Sequence, residues 1–116
     1  MQDFNDILKL KMQYENIRGQ LKAETDKLPE LYLDVAEKEA LYRKAKAKAF
    51  LTLLAEDQKV TAIPTLVNGK TADIRLLFKV ADGILRSTKE NIKRLHSSVE
   101  ASRTLISVAK SEINIR

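Results

Sequence analysis

The chain has 116 residues, 44% of them hydrophobic but only 5% aromatic, no cysteine or tryptophan, and a formal net charge of +5. That length suits one domain, and the missing thiols exclude a disulfide framework or a thiolate metal site. The dominance of Ala, Leu, Ile, Lys and Glu favours long helices over a sheet. No apolar run approaches the ~18 residues of a membrane span. The opening MQDFNDILKLK is too charged for a secretory signal, so a soluble, cytoplasmic protein is expected.

The first predicted helix covers residues 3–27. Ile7, Leu10, Tyr14, Ile17, Leu21 and Leu28 lie on a heptad seam broken only by Glu24, and Asp3 is a suitable N-cap. Pro29 interrupts the pattern and sits comfortably in the first turn of the next helix.

The second helix is expected over 29–57. Its seam reads as Leu33, Ala36, Ala40, Ala47, Phe50 and Leu54, widened by Leu41 and Leu51. Asp34 with Lys38, and Glu39 with Arg43, are acid-before-base pairs one turn apart.

Residues 58–71 form a connector. Thr61 is expected to cap a single helical turn that holds Pro64, and Asn68-Gly69 to stop it. A short strand over Thr65-Leu66-Val67 is the alternative. Thr71 is the expected N-cap of the last helix, 72–114.

That helix would run about 60 Å at 1.5 Å per residue. Its seam passes through Ile74, Leu77, Ala81, Leu85, Thr88, Ile92, Leu95, Val99, Ser102, Ile106, Ala109 and Ile113. A stripe of that length needs other helices alongside it, from this chain or from copies. Leu77, Leu85, Ile92, Leu95, Val99 and Ile106 are the expected oligomer contacts. A four-residue step between Ala81 and Leu85, next to Gly83, argues against a uniform coiled coil. The expected fold is all-α: an elongated, coiled-coil-like bundle of two long helices, a short connector and a longer C-terminal helix, in one domain over 1–116.

Catalysis has little to work with. His96 is the only histidine and reads as a surface residue, and no metal-ligand spacing or phosphate-binding loop occurs. No enzyme activity and no cofactor are expected. The basic residues carry more information. From Ala40 to Ala55 the chain holds Arg43, Lys44, Lys46 and Lys48 and no acid. Clustered cations bind phosphates by releasing counterions. Tyr42 and Phe50 lie within reach to stack a base, although Phe50 reads better as core. The four cations spread around the helix, and lysines that merely solubilise an alanine-rich helix are the plain alternative. Lys89 and Lys93, with Arg86 and Arg94 nearby, form a secondary candidate.

The segment RKAKAKAFLTL, residues 43–53, resembles the basic helix of small phage recombination mediators of the UvsY type, with Lys46-Ala47-Lys48 followed by Phe50. The order of helices is similar too. Lys48 stands where that family has arginine, and its aromatic pair is reduced here to Phe50. The resemblance implies a homo-oligomeric ring that binds single-stranded DNA and helps a recombinase replace single-strand binding protein, in the host cytoplasm. Lys46 and Lys48 would be the DNA contacts, and the C-terminal helix would mediate oligomerisation. The alternative is a helical adaptor or assembly protein without a nucleic-acid role.

Overall fold

The computed structural model describes residues 3–115. It contains four helices, α1 (Phe4–Asp26), α2 (Leu28–Ala55), α3 (Ile63–Lys70) and α4 (Ala72–Ile115), and no strand among the described residues. The protein is all-α, with two long helices, a short third and a longer C-terminal one. The strand alternative at Thr65–Val67 does not occur, because those residues complete α3.

Helix ends follow local chemistry. Asp3 caps α1 as expected: its carboxylate accepts from the Asp6 amide at 2.9 Å, and Asp6 accepts in return from the Asp3 amide at 3.2 Å. α2 ends in a Schellman turn. Asp57 adopts a left-handed φ of 58°. The Gln58 and Asp57 amides return to the Leu53 and Leu54 carbonyls, both at 3.2 Å.

Two capping expectations fail. Thr61 is exposed, and the residue before α3 is Ala62, which makes no side-chain cap. The Thr71 hydroxyl donates to the Val67 carbonyl at 2.8 Å and so closes α3 instead of opening α4. Asn68-Gly69 does not stop α3 either; the helix continues to Lys70 without a positive φ at any glycine. Burial of Ile63 and Val67 on one side of α3 keeps those residues helical despite their turn propensity.

Contacts divide the chain into two units, residues 1–28 with 87–116 and residues 29–86. In the first, α1 lies antiparallel to the C-terminal part of α4: Leu10 shares a groove with Leu105 and Val108, and Tyr14 and Leu21 one with Val99. Ile7, Leu95, Val99 and Ala109 are buried there. The predicted α1 seam is therefore the packed one.

Ser102 is also buried in this unit, at 5% exposure, and its hydroxyl has no partner. A buried hydroxyl without a hydrogen bond is destabilising, and alanine is the better helix former. Ser102→Ala should raise stability by about 1 kcal/mol, read as a higher urea midpoint in a circular-dichroism titration.

Glu24 breaks the α1 seam and is half-buried. The Lys27 ammonium donates to it at 2.8 Å. Lys27 first and Asn91 of α4 second hold its carboxyl below the usual carboxylate range. A depressed folded pKa gives stability that is present above the unfolded carboxylate range and lost as pH falls through the folded value. Glu24→Gln should therefore be less stable than the natural chain near neutrality, and the gap should close on acidification. Melting curves of both proteins from pH 7 to pH 3 would read this; a gap that is constant with pH counts against the ionised contact.

The second unit holds α2, α3 and the first part of α4. Leu53, Ile63 and Val67 form its core, with Ala49 packed against them. Here the predicted α2 seam is wrong in phase. Leu31, Val35, Tyr42, Ala45 and Ala49 are half-buried and Leu53 is buried, whereas Leu33 is 59%, Leu51 66% and Leu54 42% exposed, with Ala36, Ala40 and Ala47 also exposed. α2 thus carries two apolar stripes on nearly opposite faces, and only one is covered by its own chain.

Candidate nucleic-acid interface

An α-helix turns about 100° per residue, so positions two apart point about 200° from each other. Glu39, Arg43, Lys46 and Phe50 consequently share one side of α2, while Lys44 and Lys48, one turn apart, share the other. The four cations of the basic block are thus two pairs, with Lys46 and Lys48 on different sides of the helix, as the spread expected from the sequence requires.

The Arg43–Lys46 side is the more developed. The Arg43 guanidinium donates to the Glu39 carboxylate at 2.6 Å, which confirms the sequence pair and offsets part of its charge. The Lys46 ammonium lies 5.3 Å from the centroid of the Tyr42 ring, a cation–π contact. No carboxylate pairs with it among the described residues. Tyr42 in turn stacks on Phe78 of α4, with centroids 5.9 Å apart and planes 30° from parallel.

Two grooves meet at Lys46. One, of about 420 Å³, is lined by Glu39, Tyr42, Arg43, Lys46 and Phe78. The other, of about 350 Å³, runs between α2 and α3 and is lined by Lys46, Ala47, Phe50, Pro64, Val67 and Asn68. Phe50, which the sequence favoured as core, is 44% exposed. Tyr42 is half-buried. The expectation that Phe50 is core is therefore corrected, and Tyr42 is the more buried of the two rings.

Lys44 and Lys48 are exposed on the opposite side of α2. Lys89 and Lys93 are exposed on α4 in the other unit. Of their basic neighbours, Arg86 pairs with Asp82 at 3.0 Å and Arg94 donates to Asn91 at 2.7 Å. That secondary group is a mixed-charge helix face.

A larger groove of about 670 Å³ in the first unit includes Tyr14, Arg18, Lys22, His96, Glu100 and Arg103. Its cations are matched by acids: Arg18 with Glu15 at 3.6 Å, Lys22 with Asp26 at 3.2 Å, and Arg103 with Glu100 at 3.2 Å. Local charge there is nearly balanced, so it offers little to a polyanion. His96 is exposed, as expected. The described residues hold no group of three or more His, Cys, Asp or Glu able to bind a metal, and no described helix is long and apolar enough to cross a membrane.

The proposed oligomer contacts need correction. Leu85, Leu95 and Val99 are 6%, 3% and 6% exposed within a single chain. Ile92 and Ile106 are half-buried and only Leu77 is exposed, at 54%. Apart from Leu77, these seam positions are taken up by the chain's own helices. The faces without a partner are the second stripe of α2 and the back of early α4, where Leu76, Val80 and Ile84 are 62%, 50% and 49% exposed.

Sequence reasoning missed Phe78, Pro64 and Asn68 as parts of this site. Phe78 follows Ile74 by one turn, and choosing Leu77 instead shifted the seam by one residue. Pro64 and Asn68 carry no local signal for what they line, because α3 must first dock on α2. Comparison with known protein families, curated proteins and solved structures returns no match.

Proposed function

We propose that this chain is a non-enzymatic, homo-oligomeric accessory protein that binds single-stranded nucleic acid, DNA in the first instance, through the Arg43–Lys46–Phe50 side of α2. The observation that carries the reading is Lys46: an exposed cation without an acidic partner, beside aromatic rings and at the meeting point of two grooves. Cation plus aromatic is the combination that holds a strand without reading its sequence. Lys44 and Lys48 form a second cationic line, available to the strand once copies assemble. Under the recombination-mediator resemblance, a recombinase or single-strand binding protein would be its protein partner, in the cytoplasm.

Self-association is supported by the uncovered apolar faces of the second unit. A single chain leaves Leu33, Leu51, Leu76 and Val80 at least half exposed, and large apolar side chains in such number on two helices are candidates for an interaction site. The same faces favour a second reading, a helical adaptor whose partner is another protein and which ignores nucleic acid.

Fluorescence anisotropy with a labelled single-stranded oligonucleotide separates the two. The nucleic-acid reading expects binding that weakens with salt and resists duplex competitor. Lys46→Ala should lower the slope of log affinity against log salt by about 0.7, the loss of one single-strand phosphate contact. Lys48→Ala should act independently and additively, since it lies on the other side of the helix. Absence of binding at low salt would leave the adaptor reading.

A further inference from the structure

We infer that the groove between α2 and α3 seats a single unstacked nucleobase, stacked on Phe50 and edged by Asn68, with the attached phosphate on Lys46. The inference rests on the nucleic-acid reading above and assigns part of the site that the basic residues alone do not.

The aromatic partner is decided by availability. Tyr42 has one face near Phe78 and the Lys46 ammonium over its ring, so a base would have to displace contacts the chain already makes. Phe50 stands one turn beyond Lys46, is 44% exposed and faces a groove. An aromatic ring left half open forgoes a large burial that an incoming flat ring restores.

The walls suit that occupant. Phe50, Pro64, Val67 and Ala47 supply apolar surface, and polar groups come from Lys46 and Asn68. An apolar cleft with few convergent polar groups is the usual form of a small-ligand site, and about 350 Å³ is near the lower limit for one. That is room enough for one base. The Asn68 side chain offers both donor and acceptor, which every base edge can answer in some orientation. The ammonium of Lys46 is the charge complement of the phosphate. A base paired within a duplex cannot enter, whereas a splayed base of a single strand can. Preference for single strands then follows from the groove, not from charge.

The test compares two labelled oligonucleotides of equal length and phosphate number, one of thymidines and one with abasic sites throughout. Anisotropy would be measured for the natural chain, Phe50→Leu and Asn68→Ala, with helicity checked by circular dichroism. The abasic strand should bind the natural chain roughly tenfold more weakly, as loss of base stacking requires, with the same salt slope. Phe50→Leu should lower affinity for the thymidine strand to the abasic level and leave the abasic strand unchanged. Asn68→Ala, at an exposed side chain, should weaken only the thymidine strand. Equal affinity for both strands, or an unaffected Phe50→Leu, would overturn the base seat while leaving phosphate binding intact. Binding of neither strand at low salt would overturn the nucleic-acid reading and this inference together.

Discussion

Ile63→Ala is expected to cost about 2–5 kcal/mol. Ile63 is fully buried, at 0% exposure, and with Leu53 and Val67 forms the core of the second unit. Truncation removes its transfer free energy and leaves a cavity that its neighbours cannot fill, since α3 is only 8 residues long and held at its end by the buried Thr71. The unit's small core has few other buried side chains to compensate. Leu51→Ala, which deletes comparable atoms from a side chain 66% exposed, should change single-chain stability by no more than about 0.5 kcal/mol. Urea denaturation of both variants at low protein concentration, followed by circular dichroism, gives the comparison. Equal effects would mean that α3 does not dock on α2.

A second large effect is expected on assembly. In Leu33→Glu combined with Leu51→Glu, two carboxylates stand on the uncovered stripe of α2. Pairing of that stripe with a second copy would bury them without partners, at several kcal/mol, which weakens association by about a hundredfold or more. Light scattering after size-exclusion chromatography should report an oligomer for the natural chain and 13.2 kDa for the variant. The folded single chain should be unharmed, because both side chains are already exposed. A variant that assembles normally would exclude this face. A natural chain that stays monomeric at high concentration would exclude self-association altogether.

These two experiments probe the point at which sequence periodicity misleads. In α2, Leu33–Ala36–Ala40–Ala47–Leu54 and Leu31–Val35–Tyr42–Ala49–Leu53 are both spaced for a helix face. A period identifies that a stripe exists but not which of two stripes meets the rest of the chain. The first, which is the expected seam, is the one left uncovered. The same shift by one residue put Leu77 on the α4 seam and left out Phe78, whose ring stacks on Tyr42. Phe50 was misplaced for the same reason: once the packed stripe rotates, a presumed core residue becomes the wall of a groove.

The identity and approximate extent of the three long helices were legible because they depend on neighbours in the chain, whereas the caps and the length of α3 were not. Asp3 caps α1 through a residue three positions on, Pro29 tolerates only a first turn, and the Glu39–Arg43 pair spans one turn. The α1 seam was legible because that helix has a single apolar stripe. At Thr71 two local preferences compete, and the hydroxyl donates back to the Val67 carbonyl four residues earlier instead of capping α4.

The sequence by itself determined an all-α protein, its four-part order, and the absence of thiol chemistry, since these follow from composition and from interactions within about one helical turn. Only the tertiary structure decided which stripe of α2 is core, that the α4 seam apart from Leu77 is satisfied within the chain, and that Lys46 joins Tyr42, Phe78, Phe50, Pro64 and Asn68 while Lys48 does not. Those outcomes depend on the rotation of one helix against another. That rotation is set by how side chains distant in sequence fill shared volume, and a one-dimensional period does not encode it.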